Sequence, residues 1–412
     1  MRYVIVSGGT AGVAAAQKLR ALDPAASIVL IEAEPIPYYL RPGLIDVLAG
    51  KKELAEITPY SRDWSEKRGI EYRLTQAAVS LDLKRREILL SSGKIVPYDR
   101  LLLALGAEPI RPKIPGVDLP GVFTLRTAAD VERIRTWSAG RTRAVVLGGG
   151  WLGLEAAHAM RNFLEEVVIL DRGPWPLPRQ LDREAGEVLA SLLREKGLEI
   201  LRETEVAEIR GTGEVREVLL SSGKVLPADL VLIAVGVRPR VGLAKDAGIL
   251  VNKGIVVNEF METSVPDVYA AGDVAEWQGR VYGIVPAARE QALVAAQNMV
   301  EPGSARYQGT NPSQRLKVAG VELLCLGETQ PEGGRLLEER VRDKGQYLKL
   351  ILDQERRLRG AIVLGFLDLM DDLERLFREE VSLPQNFIAR LTKCRNAESD
   401  FGRFAAHKRR KR

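Results

Sequence analysis

Twice in this chain an apolar strand runs straight into a glycine turn, the second time about 140 residues after the first. The first copy reads Val4-Ile5-Val6-Ser7-Gly8-Gly9-Thr10-Ala11-Gly12, and the second reads Val145-Val146-Leu147-Gly148-Gly149-Gly150-Trp151-Leu152-Gly153. A helical stretch and a second apolar strand follow each turn, and that strand ends in an acid, Glu32 in one copy and Asp171 in the other. Further on, Glu87-Ile88-Leu89-Leu90-Ser91-Ser92-Gly93-Lys94-Ile95 is echoed by Glu217-Val218-Leu219-Leu220-Ser221-Ser222-Gly223-Lys224-Val225. One glycine turn is weak evidence. Two, each with strand, helix, acid and the same downstream companion, predict two βαβ units, each offering backbone N–H groups at a helix N-terminus to a pyrophosphate. Two dinucleotides on one chain is the arrangement for passing electrons between them.

The copies are not identical. Gly148-x-Gly150-x-x-Gly153 is a complete fingerprint, whereas the first copy begins with a serine, Ser7-x-Gly9-x-x-Gly12. A small residue there makes the tight turn if its φ stays negative. The acids choose the nucleotide: Glu32 and Asp171 are each expected to accept from a ribose hydroxyl. A 2′-phosphate against Asp171 would be repelled by ~4 kcal/mol at contact distance and an effective dielectric near 20. That favours NADH over NADPH, although the adjacent Arg172 is a potential phosphate partner.

A chain of 412 residues holds two or three domains. The expected division is a discontinuous unit of residues 1–112 and 241–311, a second unit of 113–240, an α+β module of 312–389 and a basic tail of 390–412. In the module, strands are expected over Lys317–Leu326, Tyr347–Leu352 and Gly360–Leu364, then a helix near Leu367–Phe377. The tail holds nine Lys/Arg against Glu398 and Asp400, so the chain's net +5 hides a body of −2. Basicity belongs to the tail, which weighs against nucleic-acid binding by the enzyme body. No apolar run approaches the ~18 residues of a membrane span, and the N-terminal apolar run feeds a glycine turn rather than a signal-peptide cleavage site. The expected compartment is the cytoplasm. Cys325 and Cys394 form no paired motif, and with two His they do not make a metal site.

Three further segments give the pattern a family. They are Tyr98-Asp99-Arg100-Leu101-Leu102-Leu103-Ala104-Leu105-Gly106, Leu177-Pro178-Arg179-Gln180-Leu181-Asp182, and Thr263-Ser264-Val265-Pro266-Asp267-Val268-Tyr269-Ala270-Ala271-Gly272-Asp273-Val274. With them the chain resembles the FAD/NAD-linked pyridine nucleotide–disulfide oxidoreductase superfamily over nearly all of residues 1–300. The resemblance implies an α/β fold of two Rossmann-like domains, for FAD and NAD, plus the C-terminal α+β domain. It assigns FAD to Gly8, Gly9, Thr10, Ala11, Gly12, Glu32, Ala33, Arg41, Pro42, Val79, Ala104, Leu105, Gly106, Arg126, Gly272, Asp273, Val285 and Pro286. Among these, Asp273 would meet the ribitol and Val79 would offer main-chain contacts to adenine. It assigns NADH to Gly148, Gly150, Trp151, Leu152, Gly153, Glu155, Asp171, Arg172 and Gly236.

The segment Pro37-Tyr38-Tyr39-Leu40-Arg41-Pro42-Gly43-Leu44, where disulfide reductases of this fold carry redox cysteines, has no sulfur. It is similar instead to the NADH:rubredoxin reductases and to the flavin portion of NADH-dependent nitrite reductases. For Trp151 two readings stand, a cover over the isoalloxazine or a core residue at a domain seam. Glu155 is either the acid near the nicotinamide ribose or a solvated helix-start carboxylate. Arg41 and Arg126 either meet the cofactor or form surface ion pairs. Pro286 opens a helix whose N-terminus would face the flavin pyrimidine edge.

The implied activity takes a hydride from NADH onto FAD and passes electrons singly to rubredoxin or a ferredoxin-like iron–sulfur protein, with no nucleophile. The tail is either a steering patch for an acidic carrier or a solvated end. The third module would serve a homodimer or dock the partner. The competing readings are an NADH oxidase or a peroxide or thiol-compound reductase, and a flavin-bound interaction protein whose tail binds nucleic acid.

Overall fold

A computed structural model of the chain describes residues 1–61, 63–318, 320–331, 336–343, 345–385 and 387. The basic tail, Cys394 and His407 lie outside the described residues. The fold is α/β, with two Rossmann-like units and a third, α+β unit.

In the first unit, Arg2–Val6 and Ser27–Ile31 are five-residue strands with four consecutive buried residues each. Continuous burial is what a parallel strand covered on both faces requires. They lie in a five-stranded parallel sheet of order Val268–Ala270, Arg100–Leu103, Arg2–Val6, Ser27–Ile31, Ile70–Arg73. Helices Thr10–Leu22 and Val285–Val300 pack closely, because Ala15, Ala16, Ala292, Ala295 and Ala296 are fully buried on them.

The second unit repeats the sheet in the order Glu199–Leu201, Glu166–Leu170, Arg143–Leu147, Leu230–Ile233, Val122–Thr124. Only the source of the outer strand differs. Val268–Ala270 arrives last in the first unit, whereas Val122–Thr124 arrives first in the second. The chain therefore leaves the first unit through Ala107–Pro109 and returns through Val237–Pro239, and these two short strands pair antiparallel. Each unit also carries a three-stranded meander, with a register shift between Ala78 and Ser80 in one and between Val206 and Glu208 in the other. The echoed segments of the sequence form the second and third strands of these meanders. Their turns use Gly93 (φ 78°) and Gly223 (φ 85°), a region that favours glycine.

The third unit is an antiparallel sheet of order Ser313–Val318, Val321–Gly327, Leu358–Leu364, Gln346–Leu352, Leu337–Asp343. The single strand expected over Lys317–Leu326 is two, because Gly320 turns the chain at φ 78°. Leu337–Asp343 was not legible as a strand: Leu-Glu-Glu-Arg-Val-Arg-Asp is a charged edge strand, its charges blunting the open edge. Alternation gives the sheet two apolar faces. Leu324, Leu348, Leu350 and Val363 face helix Leu367–Arg378. Leu323, Cys325, Tyr347, Ile362 and Leu364 share a core with Leu154, Leu189 and Leu193 of the second unit.

Asp182 fastens this docking. One carboxylate oxygen caps helix Arg183–Glu195 by accepting from the Ala185 N–H (3.1 Å), and the other accepts from the Tyr347 hydroxyl at 2.7 Å. The Lys349 ammonium, on a residue only 3% exposed, lies 3.3 Å from that same oxygen and donates to the Thr329 carbonyl at 3.2 Å. Gln330 donates to the carbonyls of Pro178 and Leu181, so Leu177–Asp182 is the seat of the third unit.

Candidate functional site

Both glycine turns leave the central strand of a sheet at its C-terminal end, where open α/β sheets place their ligands. Gly12 and Gly153 do the same work: a Cβ on either would lie 1.9 Å from a carbonyl oxygen, that of Ser7 or of Gly148, so only glycine lets the helix sit so close to the strand. Gly9 and Gly150 are the N-caps of their helices, and no side chain bonds the free N–H groups there. A Cβ on Gly9 or Gly150 would meet nothing within 4 Å. Each turn thus presents uncapped N–H donors to open space, a cradle that suits an anion such as a pyrophosphate.

At the leading position the expectation fails. Ser7 adopts φ 84°, not a negative φ, because it follows the path that Gly148 takes at φ 112°. The turn geometry outweighs the Cβ strain, of order 1 kcal/mol. Glu32, 7% exposed, braces this loop by accepting from the Gly8 N–H at 2.6 Å and the Glu34 N–H at 3.0 Å. Gly8 is closed over by Tyr72, whose hydroxyl would lie 2.2 Å from a Cβ there.

A cleft of about 550 Å³ opens beside this loop. Ser7, Glu32 and Ala33 form one wall, Gln76–Ala78 the second, and Leu105, Glu108 and Arg238–Leu243 the third. Its size suits the adenosine half of a dinucleotide. Gln76, Ala77, Ala78 and the returning linker were not in the sequence-derived set. Val79, which was, sits at the meander's register shift, is 52% exposed and does not line the cleft.

Beyond the pyrophosphate cradle lies a charged cluster. Arg41 pairs with Glu34 (2.6 Å) and donates to the Arg126 carbonyl at 2.8 Å. The Tyr39 hydroxyl donates to Glu34 at 2.7 Å and accepts from the Ala128 N–H at 3.1 Å, and burial raises its pKa. The Arg126 guanidinium pairs with Asp273 at 2.8 Å and lies against Gly106, on the turn that includes Ala104 and Leu105. Gly272 (φ 85°) donates to the buried Gln291 amide oxygen on helix Val285–Val300, whose first turn contains Pro286. Thr10 meets Tyr38 at 3.2 Å, Ala11 packs beside Gly272, and Pro42 lies in the short turn Arg41–Gly43. Of the sequence-derived FAD set, Glu32, Ala33 and Leu105 line the cleft, Gly8, Gly9 and Gly12 form the loop, and Arg41, Arg126 and Asp273 lie in the charged cluster, whereas Val79 is in none of these. Glu34 and Tyr39 are additions that sequence alone did not single out as site residues.

In the second unit, Asp171 accepts from the Gly173 N–H at 2.9 Å and reaches over Gly149. Arg172 is largely exposed and lies 4.0 Å from the Glu205 carboxylate. Gly236, at φ 118°, holds the Ile110 N–H on its carbonyl where the linkers cross. Trp151 and Leu152 start helix Trp151–Met160. Trp151 packs against the core that joins all three units, and its buried indole N–H has no hydrogen-bond partner among the described residues. Glu155 is not a solvated helix-start group. It sits where helix Leu44–Leu48 and strand Ser313–Val318 meet its helix, and burial, then Asp46, pushes its carboxyl up to about 7.

Among the described residues no group of three or more His, Cys, Asp or Glu is placed to hold a metal, and no helix is long and apolar enough to cross a membrane. Cys325 is buried in the seam between the second and third units, and its thiol is pushed up to about 12 by burial. A thiol so shifted is protonated at neutral pH and makes no nucleophile.

The pyridine nucleotide-disulphide oxidoreductase profile matches residues 1–292. The chain belongs to that family. It is an oxidoreductase of the flavoprotein type, and the rubredoxin NAD+ reductase C-terminal domain matches residues 312–381. A nitrite reductase [NAD(P)H] of Bacillus subtilis is 35% identical over 366 residues, 88% of this chain and 45% of that protein. The NADH-rubredoxin oxidoreductase of Clostridium acetobutylicum is 31% identical over 376 residues, 91% of this chain and 93% of its own length. Putidaredoxin reductase, solved as a covalent complex with putidaredoxin, has a TM-score of 0.84 at 27% identity and covers 93% of this chain and 94% of its own. The chain thus spans less than half of the B. subtilis nitrite reductase and nearly all of the rubredoxin-linked relative. Family membership implies FAD and NAD(P)H.

Proposed function

We propose that this chain is an FAD-dependent NADH oxidoreductase that passes electrons one at a time to a small iron–sulfur protein, rubredoxin or a ferredoxin-like carrier. The observation that carries the reading is the pair of open glycine cradles combined with a sulfur-free segment at residues 37–44. Bound in the first unit, FAD would supply the exchange between a two-electron donor and one-electron acceptors.

The chain's own residues bind and orient. The N–H groups following Gly9 would hold the FAD pyrophosphate, and Glu32 would fix the loop and accept from the ribose. Asp273, Arg126 and Arg41 would meet the ribityl and pyrophosphate. The N–H groups of the Val285–Val300 helix start would face the flavin's pyrimidine edge. The loop at Gly150 and Asp171 would hold NADH, with Asp171 disfavouring a 2′-phosphate. Similarity over 93% of the rubredoxin-linked relative's length supports the acceptor class. The basic tail would steer an acidic carrier at low salt.

The test is NADH oxidation by the purified flavoprotein against rubredoxin, a ferredoxin, oxygen, peroxide, a disulfide and nitrite. Turnover is expected with an iron–sulfur protein, unchanged in the double variant Cys325→Ser/Cys394→Ser. Turnover confined to peroxide or disulfide, or lost with the two thiols, would overturn the reading.

A further inference from the structure

The two units match hydrogen bond for hydrogen bond around the end of their second strand. In the first, Glu32 N–H donates to the Arg73 carbonyl, Gln76 N–H to that of Glu32, and Ser91 N–H to that of Ala77, at 2.9, 2.9 and 2.8 Å. In the second, Asp171 N–H donates to Leu201, Thr204 N–H to Asp171, and Ser221 N–H to Glu205, again at 2.9, 2.9 and 2.8 Å. Both meanders then shift register at the next residue. Glu205 therefore occupies the place of Ala77, and Arg172 that of Ala33. Both alanines line the adenosine-sized cleft of the first unit. In the second unit the same two positions carry opposite charges 4.0 Å apart, beside Asp171.

We propose that Glu205 is a specificity-determining residue of the second nucleotide site, restraining Arg172 so that the site refuses the 2′-phosphate of NADP(H). This rests on the reading of the second unit as the NADH site. Arg172, left to itself, follows the ribose acid in sequence and has the reach to pair with a phosphate. Glu205 engages it from the opposite wall and holds it off the ribose. A freed guanidinium meeting the phosphate at about 4 Å in water gains roughly fivefold per unit of charge, and a phosphate carries more than one unit. Holding Arg172 back therefore costs NADP(H) roughly tenfold.

The experiment is calorimetric binding of NAD+ and NADP+ to the oxidised holoprotein at low salt, where no turnover occurs. Wild type is expected to bind NAD+ more tightly than NADP+. Glu205→Gln is expected to tighten NADP+ about tenfold with NAD+ unchanged, and Arg172→Ala added to it to abolish that gain. An unchanged NADP+ affinity in Glu205→Gln, or a gain that persists without Arg172, overturns the assignment and leaves the NADH site standing. If wild type binds neither nucleotide, the site reading itself falls and the assignment with it.

Discussion

The two glycine loops share one backbone path and differ in the side chains that surround it. In the first, a strained Ser7 is held by a buried Glu32 that places both carboxylate oxygens on loop N–H groups, and Tyr72 closes over Gly8. The adjoining cleft is roofed by the returning linker Arg238–Leu243. In the second, glycine relieves the same turn, Asp171 makes one backbone bond, and its neighbours Arg172 and Glu205 stand in solvent. A braced, roofed loop suits a ligand that stays, and an open, acid-lined loop suits one that exchanges. Two units of one architecture differ here by a handful of side chains.

That contrast is open to attack at several strengths. Because Gly12 and Gly153 meet equivalent backbone oxygens, those of Ser7 and Gly148, at the same 1.9 Å, Gly12→Ala and Gly153→Ala should destabilise alike, by about 3 kcal/mol in denaturant melts. A large inequality would mean that the two units are not mechanically equivalent.

Glu155 comes next. Its carboxyl is pushed up to about 7 in the fold, so between the unfolded value and pH 7 the native state binds more protons than the unfolded one. Stability from this group is therefore full at pH 4 and falls as pH rises through 7. Glu155→Gln, neutral throughout, should match wild type at pH 4 and exceed it by about 2 kcal/mol at pH 8. Equal melts at both pH values would mean that Glu155 is solvated.

The smallest effect is expected at the leading turn. Ser7→Gly should stabilise by ~0.5–1 kcal/mol through relief of its left-handed φ, partly offset by glycine's greater unfolded-state entropy. A loss of stability there would assign the 3.4 Å Ser7–Glu32 contact a larger role than its length implies.

Periodicity and spacing made the glycine loops, their terminal acids and the echoed meanders legible, because each is local: a strand, a turn and a helix within thirty residues. What stayed hidden depends on distant partners. Nothing near Ser7 announces a positive φ; it is imposed by the sheet and by Glu32. Gly320 looked like one residue in a long strand, and the charged Leu337–Asp343 segment became a strand only by pairing with Gln346–Leu352. Leu177–Asp182 read as a family signature. Its described side chains and carbonyls instead seat the third unit through Asp182, Tyr347, Lys349 and Gln330. Arg126 could be flagged as a site residue, whereas its pairing with Asp273, across 147 residues of chain, could not.

The most direct test uses the N-cap glycines of the two cradles, where an added Cβ meets nothing within 4 Å. Gly9→Leu and Gly150→Leu each add a side chain where the fold leaves room for its Cβ, so as apoproteins both should melt as apo wild type does while filling one cradle. Flavin absorbance of the purified proteins and its bleaching on anaerobic mixing with NADH then separate the loops. Gly9→Leu should be colourless, and Gly150→Leu should be yellow but no longer bleached by NADH. A yellow Gly9→Leu, or a Gly150→Leu that bleaches at the wild-type rate, would contradict the division of the two nucleotides between the loops.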